Sequence, residues 1–236
     1  MPTQIRLEFD KFIKFHFAIP FLLFLILFSG LEFARLDLWI SQHFYNAELH
    51  QWPYKDNWLI ETVVHRGGQY FIYISAASLL LCLLASFRSN SALHHYRRHL
   101  VFLLVASISG PIIIALLKSH THIYCPWYLT LFDGDKPYVR LFDYATNNLP
   151  VGHCFPAAHS GSGFTFISLY FFFFMVKPEY KWHGLCFGLV LGAVYGIGQQ
   201  MRGAHFLSHD VFSLAVCWFS SLFLFIVFFR KQLKWA

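Results

Sequence analysis

The amino-acid sequence predicts an all-α polytopic membrane protein, a bundle of six transmembrane helices. Of its 236 residues 57% are hydrophobic and 13% charged, whereas a typical soluble domain carries about 25% charged residues. Mean hydropathy is +0.49. Six apolar runs approach the ~20 residues that a helix needs to cross a bilayer. They lie at roughly 12 to 30, 69 to 87, 99 to 117, 159 to 176, 184 to 200 and 210 to 229. Lys and Arg cluster in alternate connections, as the positive-inside rule requires of a multi-pass chain.

The first run is longer than the apolar core of a signal peptide, about 7 to 15 residues, and no small-x-small cleavage site follows Gly30-Leu31-Glu32, so it is expected to be a retained span. Arg6, Lys11 and Lys14 precede it. Arg88, Arg97 and Arg98 join spans two and three, Lys177 and Lys181 join four and five, and Arg230, Lys231 and Lys234 follow six. Both termini are therefore expected in the cytoplasm, and the connections 31 to 68, 118 to 158 and 201 to 209 outside. These anchors account for the net charge of +6, which leaves no ground for a nucleic-acid partner. No protein partner is inferred.

No repeat or linker divides the chain, and residues 1–236 read as one domain. Gly188 to Gly198 and Gly161-Ser162-Gly163 place small residues at helical spacing, where membrane helices can approach closely. Tyr170 to Phe174 reads as lipid-facing or core surface. Trp39, Trp52, Trp58, Trp127, Trp182 and Trp235 fall near predicted interfaces, the usual place of amphipathic anchors.

Three polar islands interrupt the apolar pattern on the outward face. They are Lys118-x6-Cys125-Pro126, Pro156-Ala157-Ala158-His159, and Arg202-Gly203-Ala204-His205 followed by His209-Asp210. Ionisable residues at a membrane boundary are costly unless they line a polar site, and these types suit an anion. Order, spacing and common face resemble the type 2 phosphatidic acid phosphatase family, whose pattern is Lys-x6-Arg-Pro, Pro-Ser-Gly-His and Ser-Arg-x5-His-x3-Asp. The resemblance runs from Lys118 to Asp210 and implies a six-helix lipid phosphatase working without a metal or other cofactor.

The chemistry of phosphoryl transfer fits the residue types. A nucleophile must lie in line with the leaving group, and fixed donors must hold the spread negative charge. Lys118 supplies a cation and Arg202 a planar fork of donors. Ala157 and Ala158 open span four, where free N–H groups and the helix dipole cradle phosphate. His159 is the expected general acid. His205 is the expected nucleophile, forming a phosphohistidine that water hydrolyses.

The chain departs from the family in several places. Cys125 replaces the first Arg, and Arg140 is the outward-facing candidate to replace its charge. Pro-Ala-Ala-His loses a hydroxyl but keeps the backbone donors. Aligned on Gly-x-His, the family's Arg falls on Gln199 and its Asp on His209, with Arg202 three residues and Asp210 one residue later. Either Asp210 or His209 is expected to orient His205; Asp210 is preferred because a carboxylate better stabilises an imidazolium. Cys125 and Cys154 both face the oxidising side and are expected to form a disulfide, with two free thiols as the alternative. Cys82, Cys186 and Cys217 lie inside predicted spans as small apolar residues.

Other readings stay open. Lys118 also fits a lysine that snorkels at a helix end. His120, His122 and His153 read as loop histidines, and Asp133, Asp135 and Lys136 as a turn. His205 and His209, four residues apart, could hold zinc with His120, His122 or an Asp, making a zinc-dependent membrane hydrolase. A phosphate cradle also serves a lipid phosphotransferase or a non-catalytic phospholipid-binding or transport protein. The favoured expectation is hydrolysis of a lipid phosphomonoester or diphosphate at the periplasmic face of a bacterial-type inner membrane. Undecaprenyl diphosphate, phosphatidylglycerol phosphate, phosphatidic acid and lipid A phosphates are all compatible.

Overall fold

The computed structural model describes residues 5–143 and 149–235. Six helices are long and apolar enough to cross a membrane. They are α1 (Phe9–Phe33), α3 (Leu59–Ala85), α4 (His94–Lys118), α5 (Ala158–Val176), α6 (Pro178–Met201) and α7 (Leu207–Phe229). A short helix α2 (Leu36–Gln42) follows α1. The fold is the six-helix all-α bundle that the apolar runs predict. Its only strands among the described residues are β1 (Ile5–Leu7) and β2 (Leu233–Trp235), paired in parallel. That pairing brings both ends of the described chain to one end of the bundle, where the Arg98 guanidinium also binds the Phe228 carbonyl.

α3 begins ten residues before the sequence places it, at Leu59 rather than 69. Glu61, His65 and Arg66 dilute the apolar pattern there, although the segment is helical. Its first part, Leu59–Gly67, is wound as a π-helix, a form concentrated at functional sites. The segment between α1 and α3 is consequently shorter than the loop expected from sequence, and part of it is α2.

Packing is closest where α5 meets α6. A Cβ on Gly163 would lie 2.7 Å from the Gly192 Cα, and one on Gly188 would lie 2.4 Å from the Ile167 nitrogen. The glycines therefore let two backbones touch, as their spacing suggests. α4 meets α7 in the same way, with Gly110 against Cys217. Around these contacts lies an aromatic core of Phe12, Phe102, Phe171, Phe225 and Phe229. Tyr170 and Phe171 belong to this core, so the aromatic run of α5 is partly interior. Trp39, Trp58 and Trp182 are exposed, as interfacial anchors are. Trp52 is not: it is buried with Tyr124, Leu129, Phe132 and Phe206.

Gly163→Ala is expected to destabilise the bundle by about 1 to 3 kcal/mol, because backbone atoms cannot yield to the added methyl. Gly30→Ala, where nothing lies within 4 Å of the new Cβ, should instead be neutral or gain up to about 1 kcal/mol of helix propensity. Thermal unfolding of both variants in detergent micelles checks the contrast.

Candidate active site

The three polar islands meet at the end of the bundle opposite the paired strands. Two loops bring them there. The chain leaving α4 runs beside the chain entering α5: Gly152 N donates to the Thr121 carbonyl at 2.9 Å, and the Thr121 hydroxyl donates to the Phe155 carbonyl at 2.7 Å. Cys125 and Cys154 join the same two segments in a disulfide. The Trp127 N–H donates to the Gly203 carbonyl at 2.9 Å, tying the first island to the third. Gly203 has φ +74°, and a Cβ there would penetrate the Trp52 ring, so this turn needs glycine twice over.

The start of α7 is set by a residue outside the islands. No side chain of Phe206 can cap the helix, and the buried Asp37 of α2 does so instead. Its Oδ1 accepts the Ser208 N–H at 2.9 Å. A carboxylate here satisfies an orphan donor and opposes the positive end of the helix dipole. Burial pushes the Asp37 carboxyl above its ordinary value, while its hydrogen bonds to Ser208 and Leu207 pull it back.

With α7 begun at Leu207, His205 lies just before the helix and His209 in its first turn. Their Nδ1 atoms are 3.3 Å apart. Cys154 Sγ lies 3.5 Å from His205 Nδ1 and 3.0 Å from the Ala204 carbonyl. As a disulfide sulfur it carries no proton and donates to neither. His205 Nδ1 is thus held by His209, leaving Nε2 as the atom available for chemistry. Burial, and then His209, Lys118 and His159, drive the His205 imidazole well below its ordinary value. It is neutral at physiological pH.

Lys118 ends α4 half-buried, with no hydrogen bond or ion pair among the described residues. Its charge acts on both His205 and His209. Ala158 opens α5 beside this pair, and Ala157 is the residue before it; the Ala157 N–H donates to the His209 carbonyl at 3.4 Å, so the phosphate contact expected of it passes to the N–H groups from Ala158 on. The Ala157 carbonyl accepts from the Ser213 hydroxyl at 2.9 Å, which ties that turn to α7. His159 sits between two rings, stacked on Tyr195 at 4.5 Å and tilted against His65 at 4.5 Å. Its Nε2 is buried without a partner.

Arg202 faces the His159 side of the site and is already engaged. Its Nη2 lies 2.5 Å from Glu61 Oε2, and its Nε donates to the Lys55 carbonyl at 3.0 Å. Gln199, at the position of the family's Arg, places its Nε2 2.9 Å from His65 Nδ1. Asp210 does not reach His205. It turns toward α6, where its Oδ2 accepts from Gln200 Nε2 at 2.7 Å. Of the two candidates, His209 is the one placed beside His205. Arg140 stands apart as well, bound to Asp143 at 2.9 Å and packed over Phe33.

Sequence reasoning missed Asp37, Glu61, His65 and Tyr195. The spacing Glu61-x3-His65 ahead of an apolar run is a readable signal for two of them, since positions i and i+4 share a helical face. Asp37 carries none, because its role depends on a helix 170 residues away in sequence. The same holds for the metal alternative: the group beside His205 and His209 is Cys154, not His120, His122 or an Asp. In the disulfide that sulfur offers no thiolate to a metal.

The family model described as PAP2 superfamily matches residues 99–233. The lipid A 4'-phosphatase of Francisella tularensis subsp. novicida (strain U112) is 24% identical over 205 residues, which are 86% of this chain and 90% of that protein. No solved structure matches the chain.

The depressed His205 value has a sign that can be tested. Below the ordinary imidazole value of 6.5 the unfolded chain takes up a proton that native His205 refuses, so stability falls as pH drops and is unaffected above. The slope from one such group is at most about 1.4 kcal/mol per pH unit. Between pH of about 7.5 and 5.5, the unfolding temperature of His205→Asn should fall less than that of the wild type. Asp37→Ala should cost about 1 to 2 kcal/mol at neutral pH, the loss of a buried helix cap.

Proposed function

The chain belongs to the PAP2 superfamily, and from this premise we propose that it hydrolyses a phosphate ester of an outer-leaflet lipid through a phosphohistidine on His205. That it is a multi-pass membrane lipid phosphatase follows from the family and the six spans. One observation supports the mechanism above all: His205 Nδ1 is held 3.3 Å from His209 Nδ1, beside a lysine without a counter-ion among the described residues.

With its proton on Nδ1, donated to His209, His205 keeps a lone pair on Nε2. This tautomer is assigned from the role, since hydrogens follow the bonding network. Nε2 attacks phosphorus, and the bond to the leaving oxygen breaks. His159 gives that oxygen a proton; the negative charge of bound phosphate favours the protonated imidazole it needs. Lys118 and the N–H groups of the first turn of α5 hold the phosphoryl oxygens. Arg202 approaches from the other side, with Glu61 fixing its fork. Water then attacks the phosphohistidine, returning the proton to His159 and releasing inorganic phosphate.

The Lys and Arg anchors at the opposite end support a periplasmic site in a bacterial-type inner membrane, with both termini cytoplasmic. Among lipid phosphates, the named relative favours those of lipid A. Purified protein incubated with lipid A, undecaprenyl diphosphate, phosphatidylglycerol phosphate and phosphatidic acid, each with EDTA, should release phosphate from lipid A most rapidly. Release abolished by EDTA and restored by zinc would overturn the metal-free mechanism.

His205→Ala should abolish turnover, whereas His159→Ala should slow it by about 10² to 10⁴, the usual cost of a general acid. Vanadate should inhibit the wild type by adopting the trigonal bipyramid of in-line displacement. Near wild-type phosphate release from His205→Ala would sink the nucleophile assignment.

A further inference from the structure

We infer that reduction of the Cys125–Cys154 disulfide converts the floor of this site into a zinc site, with Cys154, His205 and His209 as its ligands. All three are buried, and their donor atoms lie within 4.8 Å of one another. Two of the three separations are those of a metal's coordination sphere, and the third, Cys154 to His209, lies within 4.8 Å. Tetrahedral zinc with Zn–N of about 2.0 to 2.1 Å and Zn–S of about 2.3 Å sets N···N near ~3.4 Å and S···N near ~3.5 Å. The two Nδ1 atoms are 3.3 Å apart, and Cys154 Sγ is 3.5 Å from His205 Nδ1. Both edges are in place before any ion arrives.

The supports of these ligands are also fixed. His205 and His209 flank the start of α7, which Asp37 caps. Cys154 lies one residue before Phe155, whose ring meets His209 edge-on at 5.1 Å. Three protein ligands leave the fourth position to water, the pattern of open zinc sites. The charge of Lys118 opposes a dication, but its stem is only half-buried and the thiolate removes one unit of positive charge.

The chemistry balances with a dithiol as reductant. It delivers two electrons and two protons, becomes a disulfide itself, and leaves Cys125 and Cys154 as thiols. Zinc then displaces the Cys154 thiol proton and takes the lone pairs of His205 Nδ1 and His209 Nδ1. A neutral imidazole bound through Nδ1 carries its proton on Nε2. His205 thereby loses the lone pair that attacks phosphorus, so zinc inhibits the reduced enzyme. This inhibition rests on the proposed mechanism; the zinc binding does not.

The test uses full-length protein in detergent, either oxidised or reduced with dithiothreitol and desalted without oxygen. Each sample is equilibrated with zinc chloride, dialysed, and its bound zinc measured by mass spectrometry. The reduced wild type should hold about one more zinc per chain than the oxidised form. Cys125→Ser frees Cys154 and should bind that zinc without reductant. Cys125→Ser/Cys154→Ser should bind none of it in either state, with Cys82, Cys186 and Cys217 unchanged as internal controls. Equal zinc in the reduced wild type and the double variant would overturn the site, a comparison that stands even if Cys125→Ser folds poorly. Zinc bound with phosphate release undiminished would leave the site standing and remove His205 Nε2 as the nucleophile.

Discussion

The contact between the backbones of α5 and α6 at Gly163 and Gly192 is the constraint on which the site depends. With no Cβ at either position the helices close to touching distance, and the side chains at the site end of the bundle are placed by that closure. The His159 ring of α5 then rests on Tyr195 of α6. One turn beyond Gly192, Gly196 gives the Asp210 carboxylate its seat, where a Cβ would lie 2.7 Å from Oδ2. A residue that looks catalytic in sequence is thereby committed to holding α7 against α6. Membrane helices gain little from hydrophobic association, so such close packing and buried polar contacts carry their specificity.

Charge is sorted in the same economical way. Three acids near the site have structural partners: the buried Asp37 the start of α7, the partly exposed Glu61 the Arg202 guanidinium, the buried Asp210 the Gln200 amide. A buried charge without a partner costs several kcal/mol, so these pairings are conditions of folding rather than ornaments of catalysis. What remains beside the histidines is a lysine with no counter-ion among the described residues and two imidazoles that face each other. An arrangement of this sign is incomplete until an anion enters. Under the proposed mechanism the substrate phosphate supplies the missing charge, which gives binding and chemistry one electrostatic cause.

The loops at the site end of the bundle serve this arrangement through a few contacts. The disulfide joins the exit of α4 to the entrance of α5, and the Trp127 N–H joins the same loop to the Gly203 turn. Lys118, the first turn of α5 and His205 sit on three separate segments, and these links fix their mutual placement. The Cys154 sulfur, 3.5 Å from His205 Nδ1, is also one end of that link.

The class of the protein, its six spans and the three polar islands are legible in the sequence, because each is a local pattern. An apolar run is enough to predict a helix in a bilayer, whose interior leaves the backbone no other partner. Lys118, His159 and His205 stand out for the complementary reason that polar side chains are costly there. The start of α3 is blurred, since Glu61 and His65 look like loop residues until Arg202 and His159 are seen across from them. Trp52 looks interfacial until the Gly203 turn beneath it appears. The choice between His209 and Asp210 is a matter of helical phase: adjacent residues point about 100° apart, and which one faces His205 depends on where α7 begins and which side packs on α6. Asp37 and Gly196 settle both points, and they come from other helices. Sequence by itself determined which functional groups were present; the tertiary structure decided which side chains face one another, because direction around a helix is fixed only by what the helix packs against.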